Sequence, residues 1–316
     1  MPKVSILIPV YDRKELIGET VDSALAQTYS DFEVVISDNC STDGTWEVLQ
    51  TYAEKDDRVK VFRNERNIGP VRNWKRCIDE ARGEYGKILW SDDLIAPNFL
   101  EKTLPYLDSD PGAGFVFTAA EIFSEEDSHQ TYILGDSSYR VSEEFIGGAL
   151  INNGRGKYPV SPGCALFRLS DLRKSLLVDI PNKIGSDFSK HAIGNDLLLF
   201  LLTAHRYPRF AYVSDILSFF RKHEGSISCF SQGEKLAIHY NLAKAYFVEN
   251  YRKDLLSTLN VKLFLYYLRH IGSHKVYNFH DFSDYYFLEN STKVNWFRFF
   301  PEVIRGIVRK LVRIFR

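Results

Sequence analysis

With 316 residues and a hydrophobic share of 45%, the chain can bury a sizeable core, as one large α/β domain with appendages or as two smaller domains. A formal net charge of -1 argues against a generally nucleic-acid-binding surface, so no nucleic-acid partner is expected. Four cysteines, Cys40, Cys77, Cys164 and Cys229, show no CxxC pairing and fit free thiols in a reduced compartment better than a disulfide framework. No apolar stretch is long enough to span a bilayer, and the start at Met1-Pro2-Lys3 lacks a signal-peptide core, so a cytoplasmic protein is expected.

In chain order, Val4 to Val10 is a β-branched run interrupted by Pro9, and Glu15 to Gln27 carries apolar residues at helical period. Phe32 to Ser37 repeats the strand signal, and Ser41-Thr42-Asp43 leads into a second helix with cap-like chemistry. Val59 to Arg63, Val71 to Ala81 and Tyr85 to Trp90 read as strand, helix and strand. Strands alternating with helices through residue ~110 predict a mostly parallel sheet with right-handed crossovers. The regular alternation ends after Pro111-Gly112, where Phe115 to Thr118 and Thr131 to Leu134 read as strands around a charged loop, Glu125 to His129. Asn152 to Ser161 reads as a loop, Asp196 to Leu202 as an apolar helix start and Phe210 to Phe220 as a last buried strand. Gln232 to Leu268 is helical and aromatic-rich.

The strand ends gather polar groups. Ser91-Asp92-Asp93 follows the run Lys87-Ile88-Leu89-Trp90, and two adjacent carboxylates at the carboxyl end of a buried strand invite a metal, because a divalent ion offsets their repulsion. A solvated turn capping the next helix is the bland alternative. Strand one ends in Pro9-Val10-Tyr11-Asp12-Arg13 and strand two in Asp38-Asn39. An aspartate can accept the imide hydrogen of a pyrimidine, Tyr11 can pack on a base, and Arg72 can pair with a base edge or a diphosphate. Taken singly, Asp38 is equally well a turn residue and Arg72 a solvated helix charge.

The order and spacing of these pieces resemble family 2 glycosyltransferases of the GT-A fold. The likeness runs through Val4 to Asp12, Asp38-Asn39-Cys40-Ser41-Thr42-Asp43-Gly44-Thr45, Asn67-Ile68-Gly69, Arg72-Asn73, Ala81-Arg82-Gly83-Glu84-Tyr85 and Ser91-Asp92-Asp93, covering the first ~110 residues closely. It implies an α/β fold with a Rossmann-like, mostly parallel central sheet flanked by helices and followed by a C-terminal helical extension. It also implies nucleotide binding by Pro9, Tyr11, Asp38, Arg72 and Asp92, the last near the ribose, with Asp93 as the direct ligand of Mn²⁺ or Mg²⁺. Ser91 stands where the family's motif begins with Asp, which leaves one carboxylate fewer.

Downstream the resemblance is looser. Asn195-Asp196 matches an acidic pair whose Asp is the catalytic base, His223 in Phe220 to Ser228 matches a metal or diphosphate ligand, and Gly163-Cys164 lies in an acceptor-side segment; Gly163, Cys164 and Asn195 are expected at the acceptor or donor sugar. The implied activity is inverting, metal-dependent transfer of a hexosyl-type sugar from a UDP- or dTDP-sugar to a glycan or lipid-linked acceptor, as in bacterial surface polysaccharide synthesis. Two other readings compete: a nucleotidyltransferase, which would want a Gly-rich, Lys-bearing loop that Tyr11-Asp12-Arg13-Lys14 lacks, and an inactive sugar-nucleotide-binding recruiter, against which Asp196 argues. The expected organisation is a catalytic domain over 1–230, with a nucleotide half over 1–110 and an acceptor half over 111–230. A helical extension follows over 231–295 and a basic amphipathic tail over 296–316. Arg298, Arg305, Arg309, Lys310, Arg313 and Arg316 against a lone Glu302, interleaved with apolar residues, make that tail a candidate for lying on an anionic membrane surface; docking on the domain or a homo-oligomer contact is the competing reading.

Overall fold

The computed structural model describes residues 1–151, 157–223, 233–272 and 277–288, with 293, 295, 297 and 301. The chain clusters into two compact units, Met1–Asp179 with Asp187–Gln232, and Ile180–Ser186 with Gly233–Arg316. Ile180–Ser186, expected inside the first domain, therefore groups with the C-terminal helices.

The first unit begins with β1 (Val4–Val10), α1 (Lys14–Leu25), β2 (Phe32–Asp38), α2 (Thr45–Lys55), β3 (Val59–Arg63), α3 (Pro70–Glu80) and β4 (Tyr85–Ile88). Both β1 and β2 are buried along their whole length, as continuous apolar runs must be when helices cover both faces of a parallel sheet. Val10 pairs with Asp38 and Asp38 with Arg63, so β1, β2 and β3 deliver their carboxyl ends to one edge. Leu7 pairs with Ile88 on the other side of β1. The second helix starts differently from its predicted cap: Gly44, with φ of 98°, is the capping position, which only glycine adopts without strain. Asp43 instead accepts from Thr45 N and, through its other oxygen, from Lys14 N, joining the starts of α2 and α1.

After β4 come β5 (Leu94–Ile95), α4 (Phe99–Ser109), β6 (Ala113–Phe123), β7 (Ser128–Thr131), β8 (Ser138–Val141), α5 (Ser142–Ile151), β9 (Ala165–Arg168), α6 (Leu169–Ser175), α7 (Asn195–Arg206) and β10 (Arg209–Arg221). Among the described residues these strands form one sheet in the order β3-β2-β1-β4-β9-β6-β10-β5, with β7 on β6 and β8 on β10. The β3 to β4 half is parallel, but β9 lies antiparallel to both β4 and β6, and β5 is antiparallel to β10. The long strands β6 and β10 also pair parallel, so the sheet is mostly parallel as expected, with β9 and the short strands β5, β7 and β8 as its antiparallel members. The strand expected over Thr131 to Leu134 is displaced: pairing runs from Ser128 to Thr131, and Tyr132, at φ 60°, turns the backbone out of the ladder. Of the loop expected over Asn152 to Ser161, residues 152–156 lie outside the described ones.

The core between the sheet and its helices includes Ile6, Ile8, Ile17, Val21, Val34, Leu49, Phe99, Leu104 and Leu166, each contributing about 1.5–3 kcal/mol by burial. On the other side Phe115 stacks on Phe210 at 5.5 Å and meets Phe145, Phe167 and Phe200. In the second unit, α8 (Gly233–Tyr251) and α9 (Leu256–Arg269) are linked by a 3-10 turn. Its buried Glu249 accepts from Phe287 N and Leu288 N at 2.9 and 3.0 Å, which ties the last described turn to α8.

One residue of β4 violates the rule that lysine keeps its head in water. Lys87 is 0% exposed, with Nζ donating to the carbonyls of Gly163 and Ile88 and lying 4.5 Å from the Phe99 ring centroid. Burial lowers its pKa to about 7. Between that value and the unfolded value near ~10.4 the unfolded chain binds more protons, so stability contributed by this group rises with pH. We expect the stability of the wild type relative to Lys87→Met to increase by about 1 kcal/mol per pH unit between pH 7 and 9, measured by urea denaturation. A difference independent of pH would show that the lysine stays charged in the fold.

Candidate functional site

The site is built where β1, β2 and β4 run out. Asp38, the last residue of β2, is fully buried; its carboxylate accepts Ser41 N at 3.2 Å and lies 3.3 Å from Arg63 Nε. Burial pushes its pKa up, against the pull of the Ser41 hydroxyl and N–H and of Arg63. The turns beside it are strained: Asp12 (φ 47°) and Cys40 (φ 65°) are both left-handed, and they are locked together because Asp12 N donates to Ser41 Oγ and Thr42 N to Asp12 Oδ1. Non-glycine residues held this way cost about 1–3 kcal/mol each and concentrate at functional sites. Pro9 is buried in β1, while Tyr11 is 42% exposed at its end, available to a flat ligand.

A network of side-chain amides fixes these loops. Asn39 donates to Asn67 Oδ1 and accepts from Asn64 and from Ile68 N; Asn64 in turn donates to Asn73 Oδ1, and Asn73 donates to the Ser37 carbonyl at 2.8 Å. Buried amides so fully paired rigidify what they connect. Asn73 was legible only as part of a motif, and its work is to clamp α3 to β2. Its neighbour Arg72 points the other way, donating to Ser189 Oγ and lying 3.6 Å from Asp179.

The Asp92-Asp93 turn is held by β4 before it and β5 after it. Because β5 pairs with β10 through Leu94↔Phe219 and Ile95↔Ser218, the end of β10 is brought alongside the two carboxylates. Arg221 N donates to Asp93 Oδ1 at 2.9 Å and Arg221 Nε to the Asp92 carbonyl at 3.1 Å. His223 Nε2 lies 2.9 Å from Asp92 Oδ2, and Arg13 Nε is 3.8 Å from the same oxygen. The two aspartates are thus unequal. Asp93 is 6% exposed, and burial, then the Asp92 charge, raises its pKa well above the ordinary carboxylate range. Asp92 is the partly exposed member and the one that meets His223, although Asp93 was expected to share a ligand with that imidazole. Arg13 and Arg221, partners that sequence reasoning did not assign, are the basic residues that flank the pair; an arginine two residues before His223 was the available signal.

Carboxylate oxygens and an imidazole nitrogen in contact suit Mn²⁺ or Mg²⁺ whose remaining positions are filled by diphosphate oxygens and water. Among the described residues no group of three or more His, Cys, Asp and Glu side chains is placed to hold an ion by itself.

Gly163 and Cys164 lie in a 3-10 turn, Pro162–Cys164, and both are buried. A Cβ at Gly163 would sit 2.9 Å from the Phe220 ring and 3.0 Å from Trp90 Nε1, so this position is glycine because two aromatic rings close over it. Trp90 donates to Ser161 Oγ at 2.8 Å and its ring lies 4.6 Å from that of Trp74. The Cys164 thiol, enclosed with Lys87, is pushed up to about 12, chiefly by burial. Asp196, in the first turn of α7, is 8% exposed and accepts Gly194 N and Leu197 N at 2.9 and 2.8 Å through Oδ1. Asn195, expected at a sugar, is fully buried, with Nδ2 donating to the Leu177 carbonyl at 2.7 Å and the Val178 carbonyl at 3.3 Å, so it fastens the preceding loop to α7. His223 is the last described residue before 224–232, and the tail over 296–316 lies outside the described residues apart from Phe297 and Pro301. Among the described residues no helix is long and apolar enough to cross a membrane.

Comparison with known proteins agrees with this geometry. TuaG of Bacillus subtilis, named for teichuronic acid biosynthesis, is 34% identical over 125 residues, 40% of this chain and 49% of TuaG. A Campylobacter jejuni protein named GalNAc(5)-diNAcBac-PP-undecaprenol beta-1,3-glucosyltransferase is 36% identical over 96 residues, 30% of this chain and 31% of that one. The chain thus spans about half or less of the length of these curated relatives. Among solved structures, S. aureus TarS 1–349 in complex with UDP-GlcNAc superposes with a TM-score of 0.65 at 21% identity, over 87% of this chain and 76% of that one, a likeness of fold. The family model described as Glycosyl transferase family 2 matches residues 5–176, more than half of the chain, and with the strand-end carboxylates in place the protein belongs to glycosyltransferase family 2.

Proposed function

We propose that the chain is an inverting glycosyltransferase that moves a sugar from a UDP- or dTDP-linked donor to a hydroxyl of a glycan or lipid-linked acceptor in bacterial surface polysaccharide synthesis. One arrangement carries the reading: Asp38 and the Asp92-Asp93 turn stand at the carboxyl ends of strands on either side of β1, with His223 2.9 Å from Asp92. In an open α/β sheet that edge is where a nucleotide binds. Names of relatives that specify teichuronic acid biosynthesis and an undecaprenol-linked acceptor support the substrate class.

In this reading Asp38 accepts the imide N–H of the pyrimidine, Tyr11 and Pro9 flank the base, Asp92 lies near the ribose, and Arg72 turns from Ser189 to the nucleotide. Asp93, with His223, would hold Mn²⁺ or Mg²⁺. When bound, the cation would stabilise the charge developing on the departing diphosphate. The buried Asp93 carboxyl is costly as an anion beside Asp92, and a cation reverses that cost. Asp196, whose Oδ1 accepts two backbone N–H groups, takes the proton of the acceptor hydroxyl as it attacks the anomeric carbon from the face opposite the diphosphate. Gly163 and Cys164 line the acceptor side through the shape of their turn.

A thermal-shift screen of nucleotide sugars with and without Mn²⁺ tests donor and cation together: one UDP- or dTDP-sugar should raise Tm, more so with Mn²⁺, and Asp93→Ala should lose the Mn²⁺-dependent part. A shift equal in EDTA would mean a cation-independent enzyme. Asp196→Asn should bind the donor as the wild type does and turn over about 10²–10⁴-fold more slowly in a radiolabelled transfer assay; unchanged turnover rejects Asp196 as base. The basic and apolar composition of residues 296–316 supports a peripheral position on the cytoplasmic membrane face, where a lipid-linked acceptor would reside. Full-length protein should float with anionic vesicles and a chain ending near residue 290 should not; if the truncated chain floats equally, the tail is no anchor.

A further inference from the structure

Arg72 sits in the first turn of α3, beside the edge of the sheet where the donor is proposed to bind, yet its guanidinium is already engaged. Asn73, next to it, donates to the carbonyl of Val10, the last residue of β1, at 3.4 Å and to that of Ser37, the last but one of β2, at 2.8 Å. Ser189 Oγ accepts from one terminal nitrogen of Arg72, Nη1, and Asp179 Oδ1 lies 3.6 Å from the other, Nη2. Those two nitrogens form the fork with which an arginine grips a phosphate. Both face protein acceptors instead.

The two acceptors are unequal. Asp179 is 75% exposed, and an ion pair so well solvated is worth little. Ser189 is fully buried in the 3-10 turn Phe188–Lys190, and its hydroxyl is aimed: it donates to Asp187 Oδ1 at 2.6 Å, while Ser189 N donates to the same oxygen at 3.0 Å. With its proton committed to a carboxylate, the oxygen has only lone pairs to offer Arg72. The turn is also pressed onto the start of α3, since a Cβ at Gly69 would sit 3.0 Å from the Ser189 carbonyl oxygen. We propose that Ser189, aimed by Asp187, sets the affinity for the donor's diphosphate by competing with it for Arg72. This rests on the donor reading given above. A diphosphate gains the fork only when the guanidinium leaves Ser189, so its apparent affinity falls in proportion to the fraction of molecules in which that bond is broken. Were Ser189 instead a support that points Arg72 at the nucleotide, its removal would act with the opposite sign.

Calorimetric titration of the full chain with UDP and dTDP in Mn²⁺ tests this by a double-mutant cycle, read on whichever nucleotide binds more tightly. Ser189→Ala should bind it about threefold to tenfold more tightly than the wild type does. Ser189→Cys, which offers only a weak acceptor, should shift the same way, and the Tm of each variant reports whether the fold is intact. Arg72→Ala should weaken binding, and adding Ser189→Ala to it should change nothing further. Weaker binding by Ser189→Ala makes Ser189 a support of Arg72 and overturns the competition, as does an unchanged affinity. A gain of equal size with and without Arg72 overturns it too, because the effect then bypasses the guanidinium. If Arg72→Ala binds as the wild type does, Arg72 is no ligand of the diphosphate, and the inference fails while the rest of the donor reading stands. A wild type that binds neither nucleotide removes the donor reading itself, and the competition with it.

Discussion

Much of this structure follows from the cost of keeping two carboxylates adjacent at the mouth of a sheet. Asp93 is buried and Asp92 beside it is not, so the pair needs compensating groups from elsewhere in the chain. They come chiefly from the end of β10, which supplies Arg221 N to Asp93, Arg221 Nε to the Asp92 carbonyl and His223 to the Asp92 carboxylate. The two-residue strand β5 makes this possible, since its pairing with Ser218 and Phe219 sets the register that aligns Arg221 with Asp93. A strand so short has little stability of its own. Its role is to fix where the carboxylates sit relative to residues more than a hundred positions later.

The same logic explains the antiparallel insertion. β9 lies between β4 and β6, and the turn just before it, Pro162–Cys164, lies over the end of β4 where the Lys87 ammonium donates to the Gly163 carbonyl. A lysine in this place costs burial energy, yet it supplies two N–H bonds to two carbonyls that would otherwise lack partners in an aromatic surrounding. Phe99 faces the same group. Nucleotide half and acceptor half are in this way joined through β10 to Asp93 and through Lys87 to Gly163, beside the β4–β9 ladder itself.

The β3 to β4 half was legible because β1, β2 and β4 are buried, largely apolar runs and the half-exposed β3 repeats the β-branched signal between two helical stretches, a pattern that needs no knowledge of partners. Asp38, Asp92 and Asp93 were legible as carboxylates at the ends of such runs, whereas Asp196, at the start of a helix, was legible only through the family resemblance. What stayed hidden depends on pairings distant in sequence. Ala165–Arg168 is too short to show a period, so β9 did not register as a strand, and the antiparallel centre of the sheet went with it. Lys87 passed as one residue of a hydrophobic run. Asn39, Asn64, Asn67 and Asn73 each look like turn or helix residues, and only their proximity makes them a network. Tyr132 has high strand propensity, and propensity placed a strand where the backbone instead turns left-handed.

Charge accounting gives the proposed cation its physical basis. The edge of the sheet carries Asp38, Asp92 and Asp93, and a nucleoside diphosphate would add further negative charge to it. The arginines around it are each engaged with a carboxylate: Arg13 with Asp92, Arg63 with Asp38, Arg72 with Asp179 and Arg221 with Glu19. Redirecting one of them to a phosphate would strip a carboxylate of its partner, and for Arg63 that carboxylate is buried Asp38, where an unpaired charge is expensive. Arg72 is the cheapest to redirect, because its partner Asp179 is 75% exposed and well solvated. One arginine cannot neutralise a diphosphate, whereas a divalent cation brought in on the phosphate oxygens adds two positive charges and removes none from the carboxylates. On the proposed function, that asymmetry favours Arg72 for the nucleotide and the Asp92-Asp93 turn for a cation.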